Sequence, residues 1–309
     1  MKEKYIDHTY HSSLGEVHYY EIKNDLQPLV MIHAQSVCGL SFDNVFQELS
    51  KKYHVFAVDC FGHGYSSHDR KQYNIQGIGD ALIEFIKNTV GDTVCLTGHS
   101  SGGLIAAYIA ANSDVCEQLI LEDPPLFSCQ GERRFKTYNY LDLSTVCHHY
   151  ISEKSEEDFV AYYFENQKMW EFFPDKSRDK LKSKMVEMAK KNRRKHPERD
   201  LKIPFWTKKA LSAYRGMNHY DPYFGEAFYD DSFHAGIAHE EMLKNIGCET
   251  ILMKAKTNFS DDGVLLAAMS DEDAEKANQL MENSEIVRFD CGHGIHVEKK
   301  SGFLQYFNI

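Results

Sequence analysis

Short apolar runs alternate along the chain with stretches whose apolar residues recur every three or four positions. Residues 16–22 and 28–34 form the first two runs. The second, Pro28-Leu29-Val30-Met31-Ile32-His33-Ala34, is nearly continuous, as a strand covered on both faces requires. Phe42, Val45, Phe46 and Leu49 then fall at helical spacing. His54-Val55-Phe56-Ala57-Val58-Asp59 predicts another buried strand, and after a glycine-rich turn Ile75, Ile78, Leu82 and Phe85 share one helical face. A strand at 93–97, a helix from about Ser101 to Asn112 and a strand at 118–122 continue the series. This order predicts an α/β fold: a mostly parallel central sheet, helices on both faces, and ligands at the carboxyl ends of the strands.

From Pro124 to about Cys248 the pattern changes to helical segments rich in aromatics, among them Phe159, Tyr163, Phe164, Trp170 and Phe224. Alternation then resumes, with strands predicted at 250–255 and 285–289 and a helix over 271–282. The middle segment therefore reads as an insertion between two strands of one sheet. The expected organisation is a core of 1–123 plus 249–309 with an α-helical cap over 124–248.

Composition narrows the setting. A net charge of −11 disfavours nucleic acid and anionic lipid as partners. No apolar run approaches the ~18 residues of a spanning helix, and the N-terminus lacks the apolar stretch of a secretion signal. Eight cysteines, none in a Cys-x-x-Cys pair, fit a reducing compartment, so a cytoplasmic location is expected.

Gly98-His99-Ser100-Ser101-Gly102 matches G-x-S-x-G and lies between a predicted strand and a predicted helix. In that context the glycines leave room for strand and helix to pass closely while the serine hydroxyl points outward. A serine hydroxyl is almost un-ionised at neutral pH and needs a base within hydrogen-bond reach. His293, in a glycine turn after the last predicted strand, is the candidate. His296, three residues on, has no carboxylate-rich motif beside it in the sequence, and a metal reading is set aside.

At these residues the chain resembles the α/β-hydrolase family over nearly its whole length. Asp59-Cys60-Phe61-Gly62-His63-Gly64-Tyr65-Ser66 is similar to that family's D-x-x-G-x-G-x-S turn, and the segment around Gly292-His293 to its late G-H segment. The resemblance implies a Ser100–His293–acid triad with backbone N–H groups of Ser101 and Gln35 as the oxyanion hole, although Ala34 replaces the glycine usual in that loop. The acid is the open member. The family's position after the strand at 250–255 holds Asn258, so Asp262 is favoured as the next carboxylate able to turn inward. Asp123 and then Asp261 are the alternatives, with Glu122 behind them. The implied activity is hydrolysis of a small or medium carboxylic ester through an acyl-enzyme, with thioester, lactone or amide substrates open. Carbon–carbon bond hydrolysis of diketones and a noncatalytic small-molecule receptor are the alternatives. No metal or organic cofactor is implied, the partner is a small-molecule acyl substrate, and the oligomeric state is left open.

The run from Lys190 to Lys195 reads as the solvated side of a helix whose other face carries Leu181, Met185 and Met188. His148 and His149 read as surface or packing residues of the insertion.

Overall fold

A computed structural model describes residues 5–91, 93–207, 210–307 and 309. Eight strands form one sheet: β1 (Ile6–Ser12), β2 (Gly15–Ile22), β3 (Pro28–Ile32), β4 (His54–Val58), β5 (Val94–His99), β6 (Cys116–Glu122), β7 (Glu249–Lys254) and β8 (Ser284–Arg288). Their spatial order is β1-β2-β4-β3-β5-β6-β7-β8. β1 pairs antiparallel with β2 and β2 with β4, and every later pairing is parallel. The edge strand β1 escapes the hydrophobic pattern because much of it is exposed and polar.

The central strands β3 and β4 are almost wholly apolar because alternate side chains enter two separate cores. In β3, Val30 and Ile32 face one core while Leu29 and Met31 face the other. In β4 the same division separates Phe56 and Val58 from Val55 and Ala57. The connecting helices follow the same rule. α1 (Phe46–Leu49) covers the second core, whereas α2 (Ile75–Phe85) and α3 (Ser101–Asn112) cover the first.

Between β6 and β7 the described chain adds no strand to the sheet. It forms α4 (Thr145–Ser152), α5 (Phe159–Asn166), α6 (Asp175–Lys195), α7 (Pro222–Tyr229) and α8 (His239–Lys244), joined by short 3₁₀ and π turns. Its aromatics extend the first core: Phe164, Trp170, Phe224 and Phe233 are all buried there. α9 (Asp271–Leu280) begins with a capping box at Ser270 and Asp273. α10 (Ile295–Glu298) and α11 (Lys300–Gln305), which the pattern analysis did not predict, close the second core through Ile295, Phe303 and Leu304. Among the described residues no helix is long and apolar enough to cross a membrane.

Candidate active site

β5 ends at His99 and α3 begins at Ser101, so the chain turns at Ser100, with φ 55° and ψ −120°. Holding an L-residue in such a sparsely populated conformation costs roughly 1–3 kcal/mol, and it persists only where the surroundings impose it. Here they do. A Cβ on Gly98 would stand 2.2 Å from the Gly102 carbonyl oxygen, and one on Gly102 would stand 2.3 Å from that of Ile32. α3 thus passes β3 and β5 at a distance no side chain allows. The Ser100 N–H donates to the Glu122 carbonyl at 2.9 Å, which ties the turn to β6. Ser101 heads α3, where backbone N–H groups have no partner one turn back.

His293 lies in the loop between β8 and α10, and its Nδ1–H donates to Asp123 Oδ2 at 2.7 Å. The expectation that Asp262 would hold this histidine is therefore corrected: the contact belongs to Asp123. The reasons are local. Asp123 follows the last residue of β6 with φ 44°, just before two prolines, and its Oδ1 accepts the Ala255 N–H at 3.1 Å. That bond fixes the carboxylate at the ends of β6 and β7, fully buried. After β7 the chain instead folds back on itself, with an antiparallel bridge between Phe259 and Leu265, and Leu265 bonds to Lys136 and Tyr138 of the insertion. Asp261 and Asp262 sit exposed at the tip of this turn, where Asp262 accepts the Ser260 hydroxyl at 2.5 Å.

The His293 side chain keeps 42% of its exposure. Desolvation lowers its pKa, but the hydrogen bond and charge of Asp123, with the charge of Glu122, outweigh this and leave it above the ordinary histidine value. With Nδ1 protonated and engaged, Nε2 is the basic nitrogen of the neutral ring.

Directly beside this pair is a second one that the motif analysis did not find. Glu122 accepts from His296 Nδ1 at 2.8 and 2.9 Å and from the His296 backbone N–H at 2.8 Å. Burial pushes the Glu122 carboxyl upward, but the charges of His296 and His99 and the bonds from His296 overcome it and hold the pKa down at about 2. His99 donates through Nε2 to the His293 carbonyl at 3.0 Å, and burial depresses its own pKa to about 3, so above that pH the ring is neutral. The loop bearing His293 is thus pinned on either side by His99 and Glu122.

The loop after β3 carries Gln35 and Ser36, both buried, and Ser36 has φ 67°. Two neutral histidines hold it. His63 Nε2 accepts the Ser36 N–H at 3.1 Å while its Nδ1 faces the Phe61 carbonyl, and His33 Nε2 accepts the Cys60 N–H at 3.0 Å while its Nδ1 faces the Ala34 carbonyl. Desolvation lowers both pKa values, consistent with rings that each accept one bond and donate one. The Gln35 side chain donates to the Tyr220 hydroxyl of the insertion at 2.8 Å. Asp59 anchors the neighbouring turn, accepting the Gly39 N–H and the His18 ring at 2.8 Å each. A Cβ on Gly64, which has φ 54°, would fall 2.0 Å from that carboxylate.

A profile of the alpha/beta hydrolase fold matches residues 27–300. The chain belongs to the α/β-hydrolase family. It is 29% identical over 119 residues to a pimeloyl-acyl-carrier-protein methyl ester esterase from Vibrio cholerae, covering 38% of this chain and 44% of that protein. It is 33% identical over 93 residues to an (E)-2-((N-methylformamido)methylene)succinate hydrolase from Acinetobacter baylyi, covering 30% and 35%. The chain thus spans less than half the length of each of these relatives. Among solved structures, a hydrolase from Pseudomonas aeruginosa superposes with a TM-score of 0.67 at 14% identity, covering 98% of each chain. An esterase from Exiguobacterium antarcticum does so with a TM-score of 0.65 at 17% identity, again covering 98% of each.

Within this α/β-hydrolase two buried clusters have metal-ligand composition among the described residues: His99–Glu122–His296 and Cys129–His234–His239. In the first, Glu122 is bonded to His296 Nδ1, and His99 Nε2 to the His293 carbonyl. In the second, the Phe127 N–H donates to His239 Nδ1, His239 Nε2 faces His234 Nδ1 at 3.2 Å, and His234 Nε2 faces the Cys129 carbonyl. His148 is bound to Glu226 and stacked on Tyr229 at 3.9 Å, a packing arrangement. In the basic run, Arg193 departs from the expected solvated face: its side chain is buried and makes two bonds to Asp158, at 2.9 and 3.0 Å.

Proposed function

We propose that this chain is a serine hydrolase acting on a carboxylic ester through Ser100, His293 and Asp123. The observation that carries the reading is the 2.7 Å bond from His293 to a buried carboxylate, in a histidine that remains half exposed and whose carbonyl is bonded to His99, the residue before the strained turn at Ser100. In this reading Nε2 of His293 takes the proton as Ser100 Oγ attacks the carbonyl, while Asp123 fixes the tautomer and stabilises the imidazolium. The N–H groups of Ser101 and Gln35 receive the developing oxyanion. His293 then protonates the leaving alcohol, and the same histidine deprotonates the water that releases the acid. The helical segment 124–248 acts as the cap over this site, and it supplies Tyr220 to the Gln35 loop. The name of the partial relative from Vibrio cholerae supports an ester as the substrate.

The test is covalent labelling with a fluorophosphonate, followed by turnover of p-nitrophenyl esters of graded acyl length. Labelling of Ser100, its loss in Ser100→Ala, and a fall in turnover of roughly 10⁴-fold or more in that variant are expected. A folded wild-type protein that neither labels nor turns over any ester would leave the fold as a noncatalytic receptor.

A further inference from the structure

Three cysteines gather at the opposite end of the sheet from Ser100. Cys95 lies near the start of β5, Cys116 opens β6, and Cys248 immediately precedes β7. Cys95 is fully buried beside the Gln118 amide. Cys116 and Cys248 face each other with their sulfurs 3.6 Å apart, and Cys248 is the more exposed of the two. We propose that Cys116 and Cys248 form a peroxide-sensitive thiol pair that closes to a disulfide across the base of β6 and β7.

The geometry permits the bond. Cys116 and Cys248 sit at the starts of neighbouring strands, where Gln118 pairs with Glu249 and β6 is irregular between Cys116 and Gln118. Their sulfurs are 3.6 Å apart, so closing to the ~2.05 Å of an S–S bond asks for a shift of only about 1.5 Å. Exposure favours one partner as the attacking sulfur. Cys248 is the half-exposed member and meets peroxide first, and its contact with Cys116 holds its pKa below the usual thiol value. Cys116, buried behind it, is the resolving thiol.

The chemistry balances with hydrogen peroxide as oxidant. The Cys248 thiolate attacks one peroxide oxygen; an S–O bond forms, the O–O bond breaks, and hydroxide leaves and is protonated to water. Cys116 then attacks the sulfenic sulfur, the S–S bond forms, the S–O bond breaks, and a second water leaves. Two thiols and one peroxide become one disulfide and two waters. Because the insertion leaves after β6 and returns before β7, the bond encloses β6 and the whole of 124–248 in one covalent ring. The seven residues of β6 put it about 20 Å from Asp123, so the chemistry at Ser100 is unaffected.

The experiment treats the purified full chain with hydrogen peroxide, alkylates it, and maps it by mass spectrometry without reduction. The expected result is a Cys116–Cys248 cross-linked peptide, two hydrogens lighter than its parts and released by dithiothreitol. The oxidised protein should also melt several degrees higher, as closing so long a loop predicts, with esterase turnover within about twofold of the reduced form. Cys116→Ser should leave a Cys248 sulfenic acid that dimedone traps, and Cys248→Ser should abolish both adduct and cross-link. Absence of the cross-link in peroxide-treated wild type, a link of Cys248 to Cys95 instead, or dimedone adducts unaffected by Cys248→Ser would each overturn the proposal.

Discussion

Asp123 and Glu122 are adjacent in the chain, and each holds a histidine Nδ1, at 2.7 and 2.8 Å respectively. The two histidines, His293 and His296, are three residues apart. The pairs share residue types and elements, and they differ in what surrounds them. The His296 side chain is 3% exposed against 42% for His293, and the Glu122 carboxylate also takes the His296 backbone N–H. One ring is closed in by its surroundings, whereas the other stays open to solvent. The histidine–carboxylate bond is common to both pairs; exposure is what separates them.

The sharpest break of this comparison comes from exchanging the acid. Asp123→Asn should lower kcat by as much as about 10⁴-fold with little change in folded-state spectra, because the amide favours the wrong His293 tautomer. Asp262→Asn, at an exposed turn tip, should stay within about twofold. Steady-state kinetics on the two variants checks this, and the opposite ranking would return the acid to the loop after β7. Glu122→Gln should act through stability: leaving His296 beside an amide in a buried site should cost about 3 kcal/mol in urea unfolding, with a smaller kinetic loss than Asp123→Asn. Tyr220→Phe removes one bond to the Gln35 side chain and should lower kcat roughly fivefold through a loosened loop, with KM little changed.

The smallest effect is a displaced midpoint. A base works only when unprotonated, so with the His293 pKa above the ordinary ~6.5 the acid limb of kcat/KM should lie above that pH. Asp123→Asn should move the limb downward in whatever activity remains. For folding, the raised His293 pKa adds stability that is complete below ~6.5 and is lost as pH rises through the folded value. Glu122 has the reverse sign: its contribution is complete above the usual 4.5 and disappears as pH falls toward about 2. Equilibrium unfolding of wild type and Glu122→Gln should therefore converge in acid, and parallel curves across that window would count against the assignment.

Much of the fold was legible in the sequence because parallel strands buried on both faces leave unbroken apolar runs, and because Gly98 and Gly102 occupy positions where no Cβ fits. The strand β1 was not legible, since an exposed edge needs no apolar pattern. Ser100 and His293 stood in motifs, but Asp123 reaches His293 through a positive φ and a bond from the backbone just past β7, neither of which a one-dimensional pattern records. Glu122 and His296 meet only once β6 and α10 are assembled, and their separation of 174 positions gave no signal. The loop histidines His33 and His63 were equally silent, although His63 stood inside a quoted motif.

Ser36, Ser100 and Asp123 each hold a positive φ at the end of β3, β5 or β6, a conformation that glycine adopts without penalty. The folded chain carries the cost of three such residues at one end of its sheet. Glycine at position 100 should therefore raise the melting temperature while abolishing the hydroxyl chemistry, so a screen for thermal tolerance alone would drift toward an inert protein. With Ser100 in its proposed role, robustness and reactivity pull in opposite directions at that position, and an engineer seeking a hardier protein should look for stabilising changes far from the carboxyl ends of these strands.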